Sequence, residues 1–353
     1  MRTISWGKMP DGDDVKLHVL SNGSGIEAAI TNYGATVVSL RVPDRNRNLD
    51  EIILGYDDLS GYRAGIEYFG ATIGRYANRI AHGQFTLDGR TFSLSKNEND
   101  NTLHGGLVGF NRKVWNARAG IGHPESVEFE YLSKDGEEGF PGNLSVRVLY
   151  TLTHANELRI DYHAATDQKT VLNLTNHCYF NLAGPGTGQI LNHQLFIDGD
   201  NFLPCDEFMI PTGEIRPVRD SPFDFRSMKA IRAGIFDGND QTRRAMGYDH
   251  TWVLNPSTQE EVQMAAKVYE PNTGRILEVF TTEPGIQFYA GNHLKGLLGR
   301  AGHRHSRHEG FCLETQHFPD SPHHRQFPST VLAPGESFVS TSIYRFSTDP
   351  QIQ

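Results

Sequence analysis

The stretch Leu144-Ser145-Val146-Arg147-Val148-Leu149-Tyr150-Thr151-Leu152, resumed at Glu157-Leu158-Arg159-Ile160-Asp161-Tyr162-His163-Ala164, decides the fold class. Leu144, Val146, Val148, Tyr150 and Leu152, then Leu158, Ile160, Tyr162 and Ala164, fall on every second position. That is the period of a strand with one buried face, and the Ala155-Asn156 between the two runs reads as a turn. Just upstream, Val127, Phe129 and Tyr131 alternate with Glu128 and Glu130, before the turn-rich 134–139. Three such runs joined by polar turns predict an antiparallel meander.

The same reading extends outward. Residues 26–30 and 36–42 read as strands around the turn Asn32-Tyr33-Gly34-Ala35, and Pro43-Asp44 ends the second. The 36 glycines and 17 prolines suit many short turns. Only residues 60–68 and 228–236 suggest helices, both short. No repeat or low-complexity linker divides the chain. The expectation is an all-β protein, a large antiparallel β-sandwich forming one domain over residues 1–353.

Composition narrows the partners. Hydrophobic content of 37% and charged content of 21% suit a soluble globular protein with a sizeable core. A net charge of −9 argues against a nucleic-acid partner, which needs clustered Lys and Arg. No apolar run is long enough to span a membrane, and the first residues lack the apolar core of a signal peptide. Cys178, Cys205 and Cys312 have neither metal nor disulfide spacing and read as reduced thiols of a cytoplasmic protein.

Against this background, several polar clusters interrupt apolar strands. In Phe311-Cys312-Leu313-Glu314-Thr315-Gln316, alternation sends Leu313 to one face and Glu314 with Cys312 to the other. A solvated strand glutamate is the plainer alternative. Asn78-Arg79 offers planar donors, although a surface turn with arginines is common. His104 precedes two glycines that allow close backbone approach, yet turn histidines are ordinary. In Asn176-His177-Cys178-Tyr179, period two places His177 and Tyr179 on one face. Asp249 in Gly247-Tyr248-Asp249-His250 could equally cap a turn.

Together the wording G-R-Y-A-N-R-I, L-H-G-G, N-H-C-Y-F-N-L, F-D-F-R, G-Y-D-H, T-T-E-P-G-I-Q-F-Y-A-G-N and G-F-C-L-E-T-Q-H-F-P-D, from Gly74 to Asp320, closely resembles the aldose 1-epimerase (galactose mutarotase) family. The resemblance implies a single-domain β-sandwich with a sugar site in an open cleft. It also implies interconversion of the α and β anomers of free aldohexoses such as galactose and glucose, without a cofactor; no metal is expected, and a monomer or homodimer is the expected state, which the sequence itself does not reveal. By the same resemblance Glu314 matches the general base and His177 the general acid. Asn78, Arg79, His104, Tyr179, Asp249 and Gln287 match sugar-binding positions. Cys178 fills a variable place in its motif, and Glu283 stands where relatives often have glutamine.

The chemistry is consistent with those residue types. Opening a hemiacetal ring needs a base at the anomeric hydroxyl and an acid at the ring oxygen, each worth about 10²–10⁴-fold. A glutamate is ionised at neutrality, and a histidine can be the acid if neighbouring carboxylates hold its proton on. Three rivals remain: a glycoside hydrolase with Asp249 as second carboxylate, a non-catalytic sugar sensor, and a sugar-phosphate epimerase using Arg304, Arg307 or Arg325. In Gly302-His303-Arg304-His305-Ser306-Arg307-His308-Glu309, His303 and His305 lie two apart with His308 nearby and His317, His323 and His324 downstream, but as a metal site this matches no ligand spacing, and a solvated loop at the cleft rim is the expectation.

Overall fold

The computed structural model describes residues 1–120, 122–256 and 262–349. The meander of alternating residues forms the heart of a nine-stranded antiparallel sheet. Its order is Asn116–Ala119, Ser126–Ser133, Leu144–Leu152, Glu157–Thr166, Phe338–Thr348, Arg275–Thr281, Gln263–Tyr269, Gln194–Ile197 and Lys229–Ala230. Val148 pairs with Phe129 on one side and Tyr162 on the other, so the apolar residues form rows across one face. Leu144, Val146, Val148, Tyr150, Leu152, Leu158, Ile160, Tyr162 and Ala164 are all at most 2% exposed. Each fully buried aliphatic or aromatic side chain contributes about 1.5–3 kcal/mol.

Two five-stranded antiparallel sheets share the core. The first runs in chain order through Arg2–Lys8, Asp14–Ser21, Glu27–Thr31, Thr36–Pro43 and Leu49–Glu51. Its Leu20, Ile30, Val37 and Leu40 join one continuous apolar cluster with the nine-stranded sheet. The second has the order Arg216–Pro217, Asn201–Phe202, Asp249–Val253, Gly285–Tyr289 and Cys312–Gln316. Trp252, Ile286, Phe288 and Leu313 face that cluster from this sheet. Its opposite face is polar and carries the candidate site. The architecture is the expected antiparallel β-sandwich.

The helices depart from expectation in length and number. The first is Leu59–Ala64, opened by Asp58, whose carboxylate accepts the Gly61 N–H. It stops short of residue 68 because Gly65 is extended and Tyr68 is left-handed at φ 60. Within 228–236, Lys229–Ala230 instead pairs with Gln194 and Leu195 at the sheet edge, leaving only Arg232–Ile235 helical. Asp240–Arg244, capped by Asn239, was not anticipated. Five residues carry too little periodicity to read. Among the described residues no helix is long and apolar enough to cross a membrane.

Candidate active site

Strand register builds the site floor. Thr251 pairs with Gln287 and Gln287 with Glu314, while Asp249 pairs with Tyr289 and Tyr289 with Cys312. Because side chains alternate, all six lie on the polar face in two adjacent rows. Three of them form one end of a cleft that is partly open to solvent. Asp249, Tyr289 and Glu314 line it, with Asn78, Arg79, Leu103, His104, His177, Tyr179 and Glu98 from other segments.

His177 and Tyr179 face the cleft, whereas Cys178 between them joins the apolar core. The His177 imidazole stacks on Tyr179 at 5.0 Å between ring centroids and meets His104 edge-on at 5.1 Å. Its Nδ1 lies 3.5 Å from the Cys312 sulfur, and its Nε2 lies 3.7 Å from Oε2 of Glu314. Oε2 of Glu314 is buried and has no hydrogen-bond partner. Burial drives Glu314 well above the usual carboxylate range, helped by the Asp249 charge and opposed by Arg79. Burial also lowers His177 to about 4. The expected carboxylate holding a proton on His177 is therefore not a hydrogen-bonded partner. Desolvation disfavours the charged form of each group, which favours a neutral acid beside a neutral imidazole.

The opposite wall comes from residues 78–106. Asn78 and His104 both adopt left-handed backbone, at φ 63 and 51. The Asn78 N–H donates to Nδ1 of His104 at 3.2 Å, which places the neutral ring's proton on Nε2. Burial, followed by the His177 and Arg79 charges, holds His104 well below its ordinary value. Gly105 is needed here, since it sits at φ 87 and a Cβ would lie 2.1 Å from the Gly74 carbonyl oxygen. Arg79 donates through Nε and Nη2 to both oxygens of Glu98, at 2.6 and 2.7 Å. Such a bidentate pair fixes the guanidinium plane.

Gln287 is placed differently from the other predicted residues. It is buried behind the cleft surface, where Nε2 donates to Asp249 at 2.6 Å and Oε1 accepts from Thr251 at 2.5 Å. It orients Asp249, whose own ionisation burial disfavours.

Comparison with known proteins fits this geometry. The sequence profile described as aldose 1-epimerase matches residues 16–345. This chain belongs to the aldose 1-epimerase family. It is 43% identical to the galactose mutarotase of Bos taurus over 343 residues, covering 97% of each chain. It is 39% identical to the aldose 1-epimerase of Escherichia coli K12, covering 96% of each. The solved structure of an aldose epimerase homologue from C. elegans superposes with a TM-score of 0.87 at 30% identity, covering 94% of this chain and 98% of that one.

Other residues of this epimerase cleft escaped the sequence reading. Tyr68 packs edge-on against His104 at 4.7 Å, and Ile66, Glu67, His293 and Leu294 also line the cleft. Glu98 sits in a polar turn with no local signal, and only its ion pair with Arg79 reveals it. The histidine-rich stretch also differs from the expected solvated loop, because His305 and His308 are each 1% exposed. His308 bonds the Ala290 carbonyl, His317 pairs with Glu283, and His323 and His324 pair with Asp320. Two groups hold side chains converging as metal ligands do, His104–His177–Glu314 and His303–His305–Glu309.

Proposed function

We propose that this epimerase interconverts the α and β anomers of free aldohexoses such as galactose and glucose, with Glu314 as general base and His177 as general acid, working as a single domain. The observation that carries this reading is the buried, unpartnered Oε2 of Glu314 lying 3.7 Å from Nε2 of a buried histidine in one cleft. Glu314 takes the proton of the anomeric hydroxyl while His177 gives one to the ring oxygen. The bond from the anomeric carbon to that oxygen breaks, leaving an open aldehyde. Rotation about the bond between the first two carbons, followed by the reverse transfers, closes the ring as the other anomer.

Proton accounting supports the roles. The working form, carboxylate plus imidazolium, contains the same single proton as the neutral pair. Reaching it needs an internal transfer and no change in pH. A sugar hydroxyl donating to Oε2 satisfies the orphan oxygen and stabilises the carboxylate. Asp249, held by Gln287, accepts from sugar hydroxyls, while Asn78, Arg79 and His104 donate and Tyr179 supplies apolar surface. None of Arg304, Arg307 and Arg325 lines the cleft, which favours free sugars over sugar phosphates.

Polarimetry tests the reading. Freshly dissolved α-galactose and α-glucose should each relax to their usual final rotation faster with the protein than without. Relaxation at the spontaneous rate for both sugars would contradict it.

A further inference from the structure

We propose that His303, His305 and Glu309 form a zinc-class metal site beside the cleft, separate from the catalytic groups. The three come from one short segment that pairs its Arg304 and His305 with Leu298 and Leu297. His303 Nε2 lies 2.8 Å and His305 Nδ1 3.3 Å from the same oxygen, Oε2 of Glu309. Tetrahedral zinc with metal–ligand distances of about 2.0–2.2 Å sets neighbouring ligand atoms about 3.3 Å apart. One observed distance equals that spacing and the other is shorter, and the three ligand atoms all lie within 4.8 Å of one another.

The chemistry of the donors suits that class. Two imidazoles and one carboxylate match the three-ligand sets that leave a fourth position for water. Glu309 is 7% exposed, and among the described residues its ion-pair partners are these two histidines, with no lysine or arginine. A buried carboxylate without a permanent cation favours a bound divalent ion. The backbone is fixed, since Asn181 donates to the Glu309 carbonyl and the Gly299 N–H to that of His303. His303, with 35% of its side chain exposed, leaves a path for entry. Behind the site, His305 packs edge-on against Phe69, which packs on Tyr179 of the cleft wall.

The full chain without an affinity tag, stripped of metal and dialysed against micromolar zinc chloride, should bind one equivalent. It should also gain thermal stability. Cobalt(II) in place of zinc should give the intense visible bands of a four-coordinate site. His303→Ala and Glu309→Gln should each weaken zinc binding by at least the about 10–100-fold that even outer-shell losses cost. His177→Asn should bind as the unaltered protein does. Absence of zinc binding would overturn the assignment, showing that the two histidines serve Glu309 only as hydrogen-bond donors. Binding that survives His303→Ala but vanishes in His177→Asn would also overturn it and place the ion on the His104–His177–Glu314 group.

Discussion

Nε2 of His177 and Oε2 of Glu314 face each other across 3.7 Å, with side chains only 6% and 3% exposed. At that depth water shields neither charge, so desolvation favours a single proton over the pair, and a ligand beside them can change which group holds it.

The pH profile follows from that shared proton. Below about pH 4 His177 gains a proton while Glu314 keeps its own, so the base is lost. Above the raised value of Glu314 the pair loses its single proton, so the acid is lost. A plot of kcat/KM against pH should be flat between these limits and fall on both sides. An acidic-side fall centred near the ordinary histidine value of about 6.5 would contradict the lowered His177 on which this description rests.

Arg79 should matter for binding more than for chemistry. Its Nε and Nη2 are committed to Glu98, so the pair presents a fixed cation rather than a mobile one. Arg79→Ala should raise KM by about 10-fold or more, the worth of a charge-assisted hydrogen bond of about 1.5–3 kcal/mol. Steady-state kinetics would detect this, and an unchanged KM would remove Arg79 from the sugar site.

Gln287 acts through Asp249. Asp249→Asn and Gln287→Leu should each raise KM, and the double variant should cost clearly less than the two effects added. Strict additivity in this cycle would mean that Gln287 contacts the sugar on its own account.

A stability prediction concerns Glu283, placed 2.5 Å from Nδ1 of His317. Burial by itself would lower His317, but the Glu283 charge and hydrogen bond outweigh it and raise the histidine. The contribution is therefore complete below the unfolded value of about 6.5 and fades as pH rises through the folded one. Urea midpoints should decline over that window in the unaltered protein and flatten in Glu283→Gln. An identical decline in both would assign the effect elsewhere.

The sheet was legible because burial leaves a period-two record: Val146, Val148 and Tyr150 could only face one way. The same logic placed Glu314 with Cys312 and His177 with Tyr179 on the cleft side. It failed where a contact crosses long stretches of chain. Nothing local in residues 96–100 announces that Glu98 clamps Arg79, and nothing in P-G-I-Q-F-Y reveals that Gln287 sits behind Asp249. Histidine spacing is uninformative for a related reason. Residues 303–324 look like one cluster in sequence, but strand pairing and turns distribute them over five separate acceptors, the Pro211 carbonyl among them.

Mutarotation by Glu314→Gln tests the central claim most directly, because the amide keeps the shape of the side chain and removes only its basicity. Polarimetry on fresh α-galactose should show the enzymatic rate reduced by about 10²–10⁴-fold, the usual worth of a general base. Calorimetric binding of galactose should change by only a few-fold. A variant that relaxes the sugar at close to the unaltered rate would contradict the assignment of Glu314 as the base.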